Sequence, residues 1–347
     1  MTAKVLALTM GDPAGIGGEI LARAFREAPA VTAGCFVAGD LAHLRRAAAA
    51  ATPPGAAALP IALIERPSQA LEVPRGCLPV LQVGAAAPAL VHWGRVQPQA
   101  GAMAAAAVTW AARAALAGEV AGVVTAPLHK EALAAAGVDF PGHTELLQHE
   151  TAAQLGRAAS DVPVRMMLAS DELRTVLVSI HVSLREAIEA VRTDSVLQTL
   201  RITHEALSRA LGRPPRMAVA GLNPHAGEGG LFGREEIEHI APAVEIARRE
   251  GLDASGPHPP DTIFMRARGL RSFDVVVAMY HDQGLIPVKY LGLDKGVNVT
   301  LGLPLVRTSP DHGTAFDIAG TGQADPSSLI EAIRVARSLL PDAVAAR

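Results

Sequence analysis

Three histidines in this 347-residue chain each follow an apolar run. Residues 275–279 lead into Tyr280-His281-Asp282-Gln283-Gly284, residues 175–180 deliver His181, and residues 217–222 deliver Asn223-Pro224-His225. A β-branched run such as 275–279 has the signature of a strand buried on both faces. In an open α/β sheet, ligands bind just beyond the carboxyl ends of the strands. Neutral imidazoles gathered there suit Zn²⁺ or another late divalent ion, with Asp261 and Asp282 as possible carboxylate ligands. No H-E-x-x-H spacing is present, and each histidine taken singly reads equally as a hydrogen-bonded loop residue. Their common location at strand ends is what points to one metal site.

Two further clusters could bind the rest of a substrate and a cofactor. Lys289, Asn298 and Arg307 recur at every ninth residue, in Gly/Pro-punctuated stretches rich in donors. Lys and Arg placed among backbone amides suit a phosphate or carboxylate, although solvated surface charges would look the same. His143-Thr144, at a predicted helix start, could complete such a pocket. Residues 311–320, Asp-His-Gly-Thr-Ala-Phe-Asp-Ile-Ala-Gly, form a glycine-bounded loop whose acidic residue could hold a ribose diol, or else a plain loop. Near the N-terminus, Gly11-Asp12-Pro13-Ala14-Gly15-Ile16-Gly17 feeds a helix whose exposed N–H groups favour an anion. It fits neither G-x-G-x-x-G nor the P-loop pattern, and a purely structural turn remains open. Gly11, Asp12, Gly15, His312 and Asp317 are the cofactor-binding candidates.

The elements that must position these residues alternate along the chain. Strands are predicted at 5–10, 34–38, 61–64, 78–83, 120–125, 164–169, 175–180, 217–222 and 275–279. Helices are predicted to about 28, near 41–51, at 99–118, up to Gly137, after Glu145, and at 193–211, 233–251 and 327–340. The pair 164–169 and 175–180, joined by Ser170-Asp171-Glu172, reads as a hairpin. Alternation of this kind predicts an α/β fold with mainly parallel sheets. The length favours two domains, and hydrophobic residues at 50% are ample for their cores. Aromatic residues at 3% leave little for base stacking, and a net charge of −3 argues against a nucleic-acid or anionic-membrane surface. The two cysteines, Cys35 and Cys77, make neither a disulfide framework nor a thiolate metal site. No targeting segment or membrane span is apparent, so a cytoplasmic protein is expected.

Taken in order, these motifs resemble the 4-hydroxythreonine-4-phosphate dehydrogenase family of pyridoxal phosphate biosynthesis. The likeness runs from Gly11–Gly17 through Gly142-His-Thr-Glu145, the stretch 221–230, Tyr280–Gly284 and 296–307 to 311–320, nearly the whole chain. The opening turn and the 311–320 loop are also similar to those of isocitrate and isopropylmalate dehydrogenases. That superfamily uses NAD without a Rossmann glycine motif. The resemblance implies two α/β/α domains, one from 1–145 plus 305–347 and a central one from 146–304 carrying the metal ligands and the dimer interface. It implies an active site in the interdomain cleft, shared within a homodimer. His181, His225 and His281 would hold one divalent ion per subunit (Zn, Mg or Co), with Asp261 possible. His143, Thr144, Lys289, Asn298 and Arg307 would bind substrate, and Lys289 would be catalytic together with the three histidines. Asp317 would meet the adenosine ribose and favour NAD over NADP.

The implied reaction is oxidation of 4-phosphooxy-L-threonine to 2-amino-3-oxo-4-phosphooxybutanoate, which loses CO₂ to give 3-amino-2-oxopropyl phosphate. Relatives of the family act on 4-phospho-D-threonate, 4-phospho-D-erythronate or dihydrodiol dicarboxylates, and the motifs favour a phosphorylated substrate without choosing among them. Two other classes compete. Three histidines with open coordination positions also suit a metal-dependent hydrolase, and a phosphate-binding protein with a structural metal would bind without turnover.

Overall fold

The computed structural model describes residues 5–292 and 296–340. Residues 1–4 and 341–347, the two ends of the expected N/C-terminal domain, lie outside the described residues. The described residues divide into two compact units, one running to Pro163 and resuming at Leu303, the other comprising Val164–Gly302.

The first unit begins with β1 (Leu6–Thr9), α1 (Gly17–Glu27), β2 (Cys35–Gly39), α2 (Leu41–Ala50), β3 (Ile61–Ile64) and β4 (Leu78–Gln82). It continues with α3 (Pro98–Leu116), β5 (Gly122–Thr125), α4 (Lys130–Ala135) and α5 (His143–Leu155). The second holds β6 (Arg165–Ala169), β7 (Arg174–Leu177), α6 (Leu184–Ala190), α7 (Thr193–Leu211), β8 (Met217–Ala220) and α8 (Ala241–Arg249). Then follow β9 (Ala254–His258), α9 (Pro260–Ala267), β10 (Val275–Ala278), α10 (His281–Tyr290) and β11 (Val297–Leu301). The chain returns to the first unit with β12 (Val306–Pro310) and α11 (Ser327–Leu339). A domain boundary at 145 would fall inside α5.

In the first unit the strands lie in the order β3-β4-β2-β1-β5-β12, all parallel. In the second the order is β11-β6-β7-β10-β8-β9, with β6 antiparallel to both neighbours and the others parallel. The hairpin expected across residues 170–172 is the β6–β7 pair. Parallel strands are covered on both faces, and β1, β2, β5, β8 and β10 are buried at every residue. Alanine-rich α3 can lie very close to α4. A Cβ at Gly101 would stand 1.9 Å from the Ala132 carbonyl oxygen, so only glycine fits that crossing.

Three local expectations are corrected. The loop alternative for His281 does not hold, because His281 opens α10, and Lys289 sits in that helix's last turn. The stretches around Asn298 and Arg307 are strands β11 and β12. The helix expected at 233–251 begins as a π-helical turn, Glu236–Ile240, before becoming α8.

Candidate functional site

In the second unit β7, β10 and β8 are neighbours, so their carboxyl ends lie side by side. His181 follows β7 and His281 follows β10, and their ring centroids are 5.6 Å apart at 46°. An ion about 2.0–2.1 Å from an imidazole nitrogen lies roughly 3 Å from the ring centre, so two rings on one tetrahedral ion stand roughly 5–6 Å apart. The pair fits two positions of a metal site. His281 Nδ1 is 2.7 Å from Asp282 Oδ1, the carboxylate–imidazole arrangement that fixes a ring and leaves Nε2 for an ion. Gln283 ties strand ends together: its Oε1 accepts from the Met279 amide at 2.7 Å, and its Nε2 donates to the Gly221 carbonyl at 2.8 Å.

His225 does not join that pair. Among the described residues no group of three or more His, Cys, Asp and Glu side chains could hold a metal ion. The reason is local: after β8, residues 225–229 turn through left-handed conformations. The His225 ring therefore lies against Phe232, with centroids 6.1 Å apart, and its Nδ1 is 3.3 Å from Glu228 Oε2. It lines a groove of about 730 Å³ with Asp261, Tyr280, Asp282 and Gln283. Lys289 and Asn298 are half-buried in the same unit, Lys289 on α10 and Asn298 opposite Leu168 of β6.

In the first unit Arg307 is only 3% exposed. It sits on β12 beside β5, and its Nε and Nη2 donate to Thr125 Oγ1 at 3.2 and 2.7 Å. Burial lowers its pKa to about 10, against the opposing charge of Glu145, so it remains a cation at neutral pH. His143 starts α5, with Thr144 half-buried after it. Burial, then the Arg307 charge, hold the His143 imidazole well below its usual pKa, while a hydrogen bond with the Ala126 backbone opposes them. Its Nε2 is buried and has no hydrogen-bond partner. A phosphate placed here would accept N–H bonds from the guanidinium, while the neutral Nε2, an acceptor, would take a bond from a protonated phosphate oxygen.

The His143 environment carries a pH consequence. Its folded pKa lies below the unfolded value of about 6.5, so the unfolded chain takes up the proton first. The neutral ring's contribution is complete above about pH 6.5 and is lost as pH falls toward the folded pKa. His143→Gln should therefore lose less thermal stability than the parent between about pH 6.5 and 5, by a few degrees in Tm. Parallel Tm–pH curves would remove this account of His143.

The glycine-rich turn and the 311–320 loop, almost three hundred residues apart, pack against each other. The Ile16 amide donates to the Thr314 carbonyl at 3.0 Å, and a Cβ at Gly15 would lie 2.8 Å from that same oxygen. Gly11 has φ +71, and a Cβ there would meet the Pro127 carbonyl at 2.3 Å. Asp12 faces inward and is fully buried. Its Oδ1 accepts from the Ala14 amide at 2.8 Å, and burial raises its pKa, with the Ala14 amide and His129 opposing. Its observed contacts thus hold the turn. Glu19 at the start of α1, also buried, accepts from the Gly320 and Gly322 amides at 2.6 and 2.7 Å. His129 stacks on Phe316 at 4.7 Å. His312 and Asp317 stand exposed on the ledge so formed.

Sequence reasoning missed Thr125, Glu19 and Glu236, side chains that hold other groups in place, and picked out the Gln283 amide at its strand end without its tethering role. A polar residue closing an apolar strand, as Thr125 closes β5, was the available signal for the first.

Comparison with known proteins accords with the earlier resemblance. Residues 32–336 match the family described as pyridoxal phosphate biosynthetic protein PdxA. A 4-hydroxythreonine-4-phosphate dehydrogenase of Beijerinckia indica is 53% identical over 338 residues, covering 96% of this chain and 94% of that protein. A D-threonate 4-phosphate dehydrogenase of Salmonella typhimurium is 45% identical over 339 residues, covering 98% of this chain and 100% of that protein. The crystal structure of 4-hydroxythreonine-4-phosphate dehydrogenase from Klebsiella pneumoniae superposes with a TM-score of 0.87 at 41% identity, covering 97% of this chain and 99% of that one. With the family matched over most of its length and close relatives spanning nearly all of it, the chain belongs to the PdxA family of pyridoxal phosphate biosynthetic proteins.

Proposed function

We propose that this protein is an NAD-dependent, divalent-metal-dependent dehydrogenase that oxidises 4-phosphooxy-L-threonine, whose β-keto acid product then loses CO₂. The observation that carries the metal-assisted reading is the His181–His281 pair at adjacent strand ends, 5.6 Å between ring centroids. When bound there, a divalent ion (Zn, Mg or Co) lowers the pKa of a substrate hydroxyl and neutralises the negative charge that builds as CO₂ departs. Asp282 keeps the His281 ring oriented for that ion. His225 is the third ligand in this reading, with Asp261 beside it in the groove.

Arg307 and His143 hold the phosphate, and Thr144 belongs with them. Lys289 and Asn298 contact the remaining polar groups of the substrate. Fixing the phosphate orients the hydride-bearing carbon, which is worth more than its binding energy alone. Nicotinamide carries the redox step. Gly11, Gly15 and His312 line the dinucleotide, Asp12 shapes the turn from within, and Asp317 receives the adenosine ribose hydroxyls. Asp317→Ala should accordingly weaken NAD roughly tenfold or more and NADP much less, read by titration of each. Equal losses would discard the ribose role.

Pairing of two copies through the second unit is part of this reading. That unit exposes large apolar side chains, among them Leu231 at 73% and Tyr290 at 90%, which such pairing would cover. No helix among the described residues is long and apolar enough to cross a membrane, and a cytoplasmic location is the corresponding proposal.

The direct test is nicotinamide reduction on adding 4-phosphooxy-L-threonine, abolished by a chelator and restored by a divalent ion. Hydrolysis without nicotinamide, or tight binding without turnover, would replace the reading. The D-threonate 4-phosphate dehydrogenase relative at 45% identity favours a second substrate, 4-phospho-D-threonate or the related 4-phospho-D-erythronate. Comparing kcat/KM across the three phosphorylated acids separates them.

A further inference from the structure

We propose that His43 is a positioning residue for the dinucleotide ledge: its ring suspends residues 87–94 from α2, against the glycine-rich turn and the 311–320 loop. The proposal rests on the reading of Gly11, Gly15, His312 and Asp317 as cofactor-binding residues.

Residues 83–97 form neither helix nor strand, so their backbone groups have no ladder and must find other partners. One buried pair takes up two of the amides. Asp40 caps α2 and is 3% exposed, and His43 is 2% exposed. Asp40 Oδ2 accepts from the Ala87 amide and from Gln82 Nε2, both at 3.1 Å. Its Oδ1 stands 2.7 Å from His43 Nδ1. On the other side of the ring, the Val91 amide donates to His43 Nε2 at 3.0 Å. A backbone amide nitrogen only donates, so Nε2 is the acceptor and the ring proton sits on Nδ1, toward Asp40. Asp40 thus fixes the tautomer that holds Val91. Burial raises the Asp40 carboxyl, but the bonds from His43, Ala87 and Gln82 outweigh that and hold its pKa at about 2. The acceptor is therefore an anion at neutral pH.

What hangs from Val91 supports the ledge. The Gly94 amide donates to the Ala14 carbonyl at 2.8 Å. A Cβ at Gly94 would stand 2.8 Å from the Phe316 carbonyl oxygen, and one at Gly320 would stand 2.2 Å from a Trp93 ring carbon. Arg46, about one helical turn beyond His43, lies 4.2 Å over the Trp93 ring and donates to the Val91 and Pro13 carbonyls. Residues 91–94 therefore meet both halves of the ledge at backbone distance. A displacement of Val91 passes on to Ala14 and Phe316, the neighbours of Gly15 and Asp317.

Two substitutions separate positioning from plain stabilisation. A glutamine amide reaches the place of Nε2 and can accept from Val91, whereas an asparagine amide reaches only that of Nδ1 and serves Asp40 alone. Each keeps one buried hydrogen bond and loses the other, so a merely structural role predicts equal effects. His43→Asn should raise the dissociation constant for NAD roughly tenfold, read by equilibrium titration, and release the Val91 amide to hydrogen exchange. His43→Gln should stay within about twofold of the parent and keep Val91 protected. Equal NAD losses in the two variants, or parental NAD affinity in His43→Asn, would overturn the proposal. Should His43→Asn not fold, His43→Gln carries the test, and weakened NAD binding with Val91 still protected would reject positioning. Asp317→Ala is the separate control for the ledge. Parental NAD affinity in it and in both His43 variants would reject the ledge reading and the proposal together. Weakened NAD binding in Asp317→Ala alone would reject only the proposal.

Discussion

Arg307→Ala should raise KM for the phosphorylated substrate by roughly 30- to 1,000-fold, with a smaller loss in kcat. Truncating one partner of a buried, hydrogen-bonded charge pair costs about 2–5 kcal/mol, and each 1.4 kcal/mol is tenfold. The predicted change corresponds to about 2–4 kcal/mol, and it is not reduced by solvent screening because Arg307 is only 3% exposed. Its anchoring also matters. Thr125 Oγ1 takes both Nε and Nη2, which holds the guanidinium plane still before any ligand arrives. Arg307→Lys should recover only part of the affinity, since an ammonium cannot reproduce that fork. The same substrate without its phosphate should bind the parent and Arg307→Ala alike. An unchanged KM for the phosphorylated form, with Tm preserved, would exclude Arg307 from the phosphate site.

The prediction depends on a residue whose role the sequence suggested and whose setting it hid. Val306–Pro310 reads VRTSP and looks like a polar, proline-bounded loop, because hydrophobic periodicity cannot signal a strand that buries an arginine. Asn298 differs: Val297–Leu301 reads VNVTL, an alternation that does signal a strand, and the glycines and proline around it drew attention away. The strands that could be read directly, β1, β5, β8 and β10, are apolar almost throughout because both faces are covered. Helix α10 was missed for a different reason. Gly284 and Pro287 are poor helix formers, yet α10 runs through both. Gly284 lets α10 pack closely, since a Cβ would stand 2.4 Å from a Leu177 methyl group and oblige that side chain to move.

Among the site residues, the order of the strands was enough to bring His181 to His281. It was not enough for His225, whose direction depends on a left-handed turn. Pairwise motifs do not encode such a path. The packing of the 11–17 turn against the 311–320 loop was likewise invisible in either motif alone, because it is made by backbone amides and by Glu19.

His281→Ala and His225→Ala should each abolish tight divalent-metal binding and lower kcat by at least about a thousandfold, the scale expected when several kcal/mol of charge stabilisation is removed. The metal-free variants should nevertheless unfold within a few degrees of the metal-free parent. The His225 side chain is 63% exposed and that of His281 38% exposed, so neither fills a core cavity. The two substitutions should differ in one respect. His281 already stands beside His181, so its loss leaves one imidazole of a preformed pair. His225→Ala leaves the pair intact, and weak residual Co²⁺ binding should survive, with an altered visible spectrum. Asp282→Asn should sit between parent and His281→Ala, at about a 10- to 100-fold loss of affinity, because it loosens the ring without removing it. Full activity with normal metal content in either histidine variant would remove that residue from the ligand set. Residual binding in both variants that is equal in strength and spectrum would show that the His181–His281 pair has no special standing.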